Sequence, residues 1–150
     1  MRTTLLTLAA LTLALVAGTP GTAREDKEGH GHDKEFMKCA KACDDCARSC
    51  DACSTHCAKL VADGKKDHLP TLKTCQDCAT TCRAAGAIVA RKGPFSDLIC
   101  KACAEVCKKC GDACLKFKSD KMMKECGDEC RKCEKACREM LKHTGRSAAK

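Results

Sequence analysis

The residues of this sequence best suited to chemistry are its cysteines, which number 18 among 150 residues. In the stretch CAKACDDCARSCDACSTHC, from Cys39 to Cys57, six of them follow one another at steps of four, three, four, three and four residues. Thiolates are soft ligands for Cu(I), Zn(II) and iron–sulfur clusters, and thiols also pair as disulfides. The cysteine content therefore indicates either a metal–thiolate protein or a disulfide scaffold.

Steps of three and four are the a/d spacing of an α-helix, so they place the thiols of one segment on one face. Each such face is called a stripe here, and the chain has four of them in succession. The first runs from Phe36 to Leu60, the second from Leu72 to Val89, the third from Cys100 to Phe117 and the fourth from Met123 to Met140. Helix-ending residues at 63–64 and 91–94 and a cap at 119–120 separate the stripes. Helices of roughly 20 to 29 residues with short links predict an all-α fold, an antiparallel up-down-up-down four-helix bundle with a cysteine-lined core.

Every cysteine lies on one of these stripes, and all 18 are therefore predicted metal ligands. They are Cys39, Cys43, Cys46, Cys50, Cys53, Cys57, Cys75, Cys78, Cys82, Cys100, Cys103, Cys107, Cys110, Cys114, Cys126, Cys130, Cys133 and Cys137. Gly111 and Gly127 interrupt the third and fourth helices, and we interpret them as points where two helices approach closely.

Packing alone does not account for so many thiols. Leucine would bury about two more carbon-sized groups than cysteine, so 18 cysteines forgo on the order of 20 to 30 kcal/mol as an upper figure. That exceeds the net stability of a typical domain, about 5 to 15 kcal/mol. The thiols are thus expected to serve a chemical purpose.

Three chemical alternatives remain open on spacing alone. Side chains at i,i+3 or i,i+4 of one helix have Cβ atoms about 5 to 6 Å apart, which is too far for a disulfide, since a disulfide needs about 3.5 to 4.5 Å. Disulfides between different helices remain one alternative. Zinc or cadmium would favour four ligands on a chain that can wrap the ion. Cu(I) accepts two or three thiolates, which pairs on a rigid helix can supply, so the repetition favours many Cu(I) ions.

Other function classes fit the sequence poorly. A thiol–disulfide enzyme would need the strand–helix context of a CxxC site and would not require 18 thiols. The net charge is +8, but the charges are interspersed and aromatic residues make up only 2% of the chain, so no nucleic-acid surface is expected. We predict a protein that is not an enzyme and binds neither nucleic acid nor membrane.

The segments outside the stripes are predicted as follows. Residues 1–23 have an early Arg, an apolar stretch and small residues at a cleavage position, which is typical of a secretory signal and predicts a periplasmic or secreted protein. Residues 24–35 are expected to form a flexible polar arm containing His30 and His32, residues 36–143 the metal-binding bundle, and residues 144–150 a disordered tail. No twin arginine and no lipid-anchor cysteine are evident.

Each end of the predicted bundle carries thioether and imidazole groups. Met37, Met140 and His143 belong to the end where the first helix starts, and His68, Met122 and Met123 belong to the opposite end. These groups are reasonable transient Cu(I) ligands, although methionine at helical spacing is also ordinary packing. Either end is a candidate for copper entrance, and His56 is expected on the surface.

Each stripe contains repeated cysteine pairs, which are CAKAC, CDDC, CARSC, CDAC and CSTHC in the first, CQDC and CATTC in the second, CKAC, CAEVC, CKKC and CGDAC in the third, and CGDEC, CRKC and CEKAC in the fourth. With these pairs, the region from Phe36 to Leu141 resembles the copper storage proteins. The resemblance implies a four-helix bundle whose core cysteines bind many Cu(I) ions. It also implies a homo-oligomer, such as a tetramer, and a donor or acceptor protein for copper. The leader lacks the twin arginine found in part of that family.

Overall fold

The computed structural model describes the backbone of residues 27–147 and the side chains of residues 33–144. It contains four α-helices, α1 (Lys27–Ala62), α2 (Leu69–Ala90), α3 (Ser96–Leu115) and α4 (Lys121–Ser147), and a 3-10 turn at Lys66–His68. α1 packs against α2 and α4, and α3 packs against the same two helices. The predicted all-α four-helix bundle is confirmed, and short connections make sequential helices antiparallel.

Local signals end and start the helices close to the predicted positions. Gly64 takes a left-handed conformation with φ of 86°, and Lys65 N–H donates to the carbonyl of Leu60 at 2.9 Å, which is a Schellman ending. Asp120 caps α4, because its Oδ1 accepts the backbone N–H of Met123 at 3.2 Å. At the end of α2 the left-handed residue is Lys92 rather than Gly93.

Two helices are longer than predicted. α1 begins at Lys27, so residues 27–35 continue the helix where the sequence predicted a flexible arm. Asp33 forms an ion pair with Lys92, which follows α2, and this contact ties the added turns to the bundle. α4 continues to Ser147 instead of ending near His143, since the cost of Gly145, about 1 kcal/mol, is insufficient to end a helix. The predicted signal at 1–23 lies outside the described residues.

Small residues beside the cysteines let the helices approach one another. Within α1 they lie seven residues apart at Ala40, Ala47 and Ser54, and all three are buried. Between α3 and α4, a Cβ added to Gly111 would lie 3.4 Å from the carbonyl oxygen of Gly127. The interpretation of these two glycines as a close approach is confirmed, and the approach brings thiols of different helices within contact.

The hydrophobic core consists of cysteines together with a few alanines, Val89, Met123 and Met140. The large apolar residues Phe95 and Leu98 lie outside this core and are 63% and 58% exposed. Phe95 precedes the first turn of α3, and Leu98 lies two residues before Cys100, on the opposite side of the helix. Within residues 27–147, no helix has both the length and the apolar character needed to cross a bilayer.

Candidate metal centre

The thiols form a continuous column along the bundle axis. All 18 cysteines are free, and 17 of them are 0% exposed while Cys39 is 2% exposed. The stripe of α1 from Cys39 to Cys57 spans about 27 Å at 1.5 Å per residue. The prediction that every cysteine faces the core is confirmed.

The column is built from groups of four sulfurs whose members all lie within 4.8 Å of one another. One group takes a single cysteine from each helix, namely Cys53, Cys75, Cys114 and Cys126. Other groups combine Cys43, Cys103, Cys133 and Cys137; Cys46, Cys78, Cys82 and Cys107; Cys46, Cys50, Cys78 and Cys130; and Cys82, Cys103, Cys107 and Cys133. Several cysteines belong to two groups, so a thiolate in the column can bridge two ions.

Sulfurs on diagonally opposed helices touch across the axis. Cys46 Sγ lies 3.9 Å from Cys107 Sγ, which joins α1 to α3. Between neighbouring helices the shortest contact, 3.4 Å, joins Cys82 on α2 to Cys107 on α3. Leucine side chains at these positions would hold the helices apart, so the short cysteine side chain is what allows four stripes to converge on one axis.

The spacing of the sulfurs suits coordination by two or more helices at once. With metal–sulfur bonds near the zinc–thiolate length of about 2.3 Å, three sulfurs around an ion are about 4.0 Å apart, and four in a tetrahedron are about 3.8 Å apart. The sulfurs of Cys82 and Cys107 lie 3.4 Å apart and those of Cys39 and Cys100 lie 4.0 Å apart, and the members of each four-sulfur group all lie within 4.8 Å of one another. Ions therefore fit with sub-ångström adjustment, and distance alone does not select the metal.

Charge distinguishes the candidate metals. Within residues 33–144 the buried polar or charged residues are Ser54, His68, Thr71 and Ser96, and no lysine or arginine is buried. Four unshared thiolates around Zn(II) would leave a net charge of about −2 in this core, and an uncompensated buried charge is costly. Cu(I) with one thiolate per ion is neutral, so the core suits a monovalent soft cation better than a divalent one.

Hydrogen bonds among the thiols and burial shift thiol pKa values in both directions. At Cys43 the hydrogen bond with Cys103 raises the pKa, but bonds with three further cysteines outweigh it and lower the pKa to about 6. At Cys100 the bond with Cys137 lowers the pKa, whereas the bond with Cys39 and burial raise it to about 12. The column thus holds thiols that ionise readily beside thiols that remain protonated without a metal.

The two ends of the column differ in their non-cysteine groups. At the end of the column near Cys39, Met37 is 55% exposed and Met140 is buried. At the opposite end Met123 is fully buried, and Met122 is exposed. His68 is buried with its ring 4.1 Å from that of Phe117, and its Nδ1 has no hydrogen-bond partner among the described residues.

His56 does not lie free on the surface as predicted. It is partly buried, and its Nε2 lies 2.7 Å from Oδ2 of Asp120, the capping residue of α4. Burial alone would raise the pKa of Asp120, but the hydrogen bonds from His56 and from the Met123 backbone hold it below its usual value. No signal in the sequence pairs these two residues, because they are far apart in the chain and meet only after α1 and α4 pack.

Comparisons with known proteins agree on one family. The copper storage protein family matches residues 32–142. The solved structure of a cytosolic copper storage protein from Streptomyces lividans with five coppers is 32% identical, with a TM-score of 0.67 over 75% of this chain and 97% of that chain. The copper storage protein from Streptomyces lividans loaded with 10 copper equivalents is 30% identical, with a TM-score of 0.65 over 82% and 92%.

A further solved structure, a Cu(I)-bound copper storage protein, is 28% identical and has a TM-score of 0.66 over 71% of this chain and 98% of that chain. A comparison with the curated proteins found no significant match. The chain belongs to the copper storage protein family. It is a storage protein rather than an enzyme, and it binds multiple Cu(I) ions through the cysteines of its core.

Proposed function

We propose that all 18 core cysteines are copper ligands and that the column holds more than about ten Cu(I) ions per chain, approaching one ion per thiolate. The observation that carries this proposal is the sharing of cysteines between four-sulfur groups along one buried column. Each ion that enters displaces thiol protons, and neutrality of the core is reached only when monovalent ions match thiolates in number.

Anaerobic titration of the reduced protein with Cu(I), in competition with a strong Cu(I) chelator, tests this capacity. We expect more than about ten tightly held ions per chain. Four or fewer ions with tetrahedral spectroscopy would instead support a zinc or cadmium buffer of the metallothionein kind.

A thiol count on freshly purified, metal-free protein tests the disulfide alternative. We expect all 18 thiols to react with a thiol reagent once the protein is unfolded, because the cysteines are free in the folded chain. A count near zero before reduction would support a disulfide-stapled exported protein in place of a copper store.

Export and assembly are further proposals. The signal-like composition of residues 1–23 supports a periplasmic or secreted protein, and amino-terminal sequencing of the mature chain after cell fractionation tests it. Exposed Phe95 and Leu98 support a homo-oligomer, of which a tetramer is the form implied by the family resemblance. Light scattering at several protein concentrations would detect it, and a monomer at all concentrations would refute it.

A further inference from the structure

One end of the thiol column carries a sulfur that is not a thiol. We propose that Cys53, Cys57 and Met123 form a terminal Cu(I) site with two thiolate ligands and one thioether ligand. This proposal rests on the proposed function, because the terminal site is the last member of the copper-binding column.

The contacts of Met123 carry the proposal. Its Sδ lies 3.5 Å from Cys53 Sγ and 3.6 Å from Cys57 Sγ, and both thiols donate to it. Met123 is 0% exposed, so its sulfur lone pairs face the column rather than water. A Cu(I) ion that replaces the two thiol protons would have three sulfurs around it, and these need to separate only to about 4.0 Å.

The first turn of α4 is anchored so that it presents this thioether to α1. Oδ1 of Asp120 accepts the N–H of Met123, and Oδ2 lies 2.7 Å from His56 Nε2. His56 lies between Cys53 and Cys57 on α1, so the same turn of α1 supplies both thiols and the anchor. We assign His56 and Asp120 as positioning residues that keep the Met123 sulfur on the column.

Met140 provides an internal contrast at the other end. It is also buried, at 1% exposure, but it makes no hydrogen bond with a thiol within residues 33–144. Burial of a methionine beside the column therefore does not by itself create a sulfur ligand. The structure distinguishes Met123 as a candidate ligand from Met140 as a packing residue.

The chemistry of the terminal site differs from that of the all-thiolate groups. Binding one Cu(I) there releases two protons and changes no oxidation state. Cys53 also belongs to the group with Cys75, Cys114 and Cys126, so its thiolate is shared with the neighbouring ion and its charge is compensated there. A thioether is a weaker donor than a thiolate to a cation, because it carries no charge. The terminal ion should be the most readily exchanged ion of the column.

The test uses protein in which selenium replaces the sulfur of every methionine, loaded anaerobically with Cu(I) to saturation. Selenium-edge X-ray absorption should show a selenium–copper scattering path that metal-free protein lacks. Met123→Leu, which preserves side-chain volume, should abolish this path and lower the capacity by about one ion per chain. The control Met140→Leu should retain both the path and the capacity.

Two results would overturn the terminal site. One is saturated wild-type protein without a selenium–copper path, and the other is a path that persists in the Met123→Leu protein. Either failure leaves high-capacity storage intact, since capacity is measured on the same samples. Failure of the wild-type protein to bind Cu(I) would instead overturn the proposed function and the terminal site together.

Discussion

Cys46→Ala removes a sulfur from the centre of the column, and we expect it to affect copper binding far more than folding. Cys46 Sγ lies 3.9 Å from Cys107 Sγ and 3.8 Å from Cys130 Sγ, and the residue belongs to two of the four-sulfur groups. In the metal-free protein the variant loses one buried group the size of a methylene and leaves a small cavity, at a cost of about 1 to 2 kcal/mol.

The loaded protein should show a larger difference. An ion present at 1,000 times its dissociation constant stabilises the folded state by about 4.1 kcal/mol. Because Cys46 serves two groups, the variant should lose one or two ions and therefore about 4 to 8 kcal/mol of copper-dependent stability. Chelator competition measures the lost capacity, and thermal unfolding of metal-free and loaded samples measures the two stability differences.

Val89→Ala is the matched control, because Val89 is also 0% exposed but carries no sulfur. Its truncation should destabilise the metal-free protein at least as much as Cys46→Ala and leave the copper capacity unchanged. Wild-type capacity in Cys46→Ala, or an equal loss of copper in Val89→Ala, would refute the assignment of the column as the copper store.

Three other expectations follow from individual contacts. Burial raises the pKa of Cys57 and the pKa of Cys100 is raised to about 12, so both thiols are protonated at neutral pH. Because copper must displace these protons, loading should acidify a weakly buffered solution. Copper affinity measured by chelator competition should fall steadily as the pH is lowered. Gly127→Ala would place a Cβ 2.7 Å from Leu115 Cγ. The overpacking cost of about 1 to 3 kcal/mol should exceed the helix-propensity gain of about 1 kcal/mol, so the variant should be less stable than the wild type. Urea unfolding that shows equal or greater stability would contradict the close approach. Asp120→Ala should lose about 1 kcal/mol through the missing cap, whereas Asp120→Asn should retain most of it in the same unfolding assay.

The periodicity of the chain was sufficient to predict the helices and the side of each that faces the core. Steps of three and four from Cys39 to Cys57 repeat the local geometry of an α-helix, so a segment read by itself already places its thiols on one face. Gly64 and Asp120 similarly act through their own backbone neighbours, which is why the ends they define were predictable. The start of α1 was not predicted, and the contact that its added turns make, between Asp33 and Lys92, joins residues far apart in the chain.

The sequence by itself determined that 18 thiols would line the interior of a helical bundle and that a soft metal ion was the best occupant. The tertiary structure decided which sulfurs meet: Cys82 lies 3.4 Å from Cys107, and of the two buried methionines only Met123 makes hydrogen bonds with thiols within the described residues. Local periodicity specifies the face of a helix but not how far one helix slides or rotates against another. Those two variables depend on the packing of small residues such as Gly111 and Gly127 between helices, and they set the distances on which metal coordination depends.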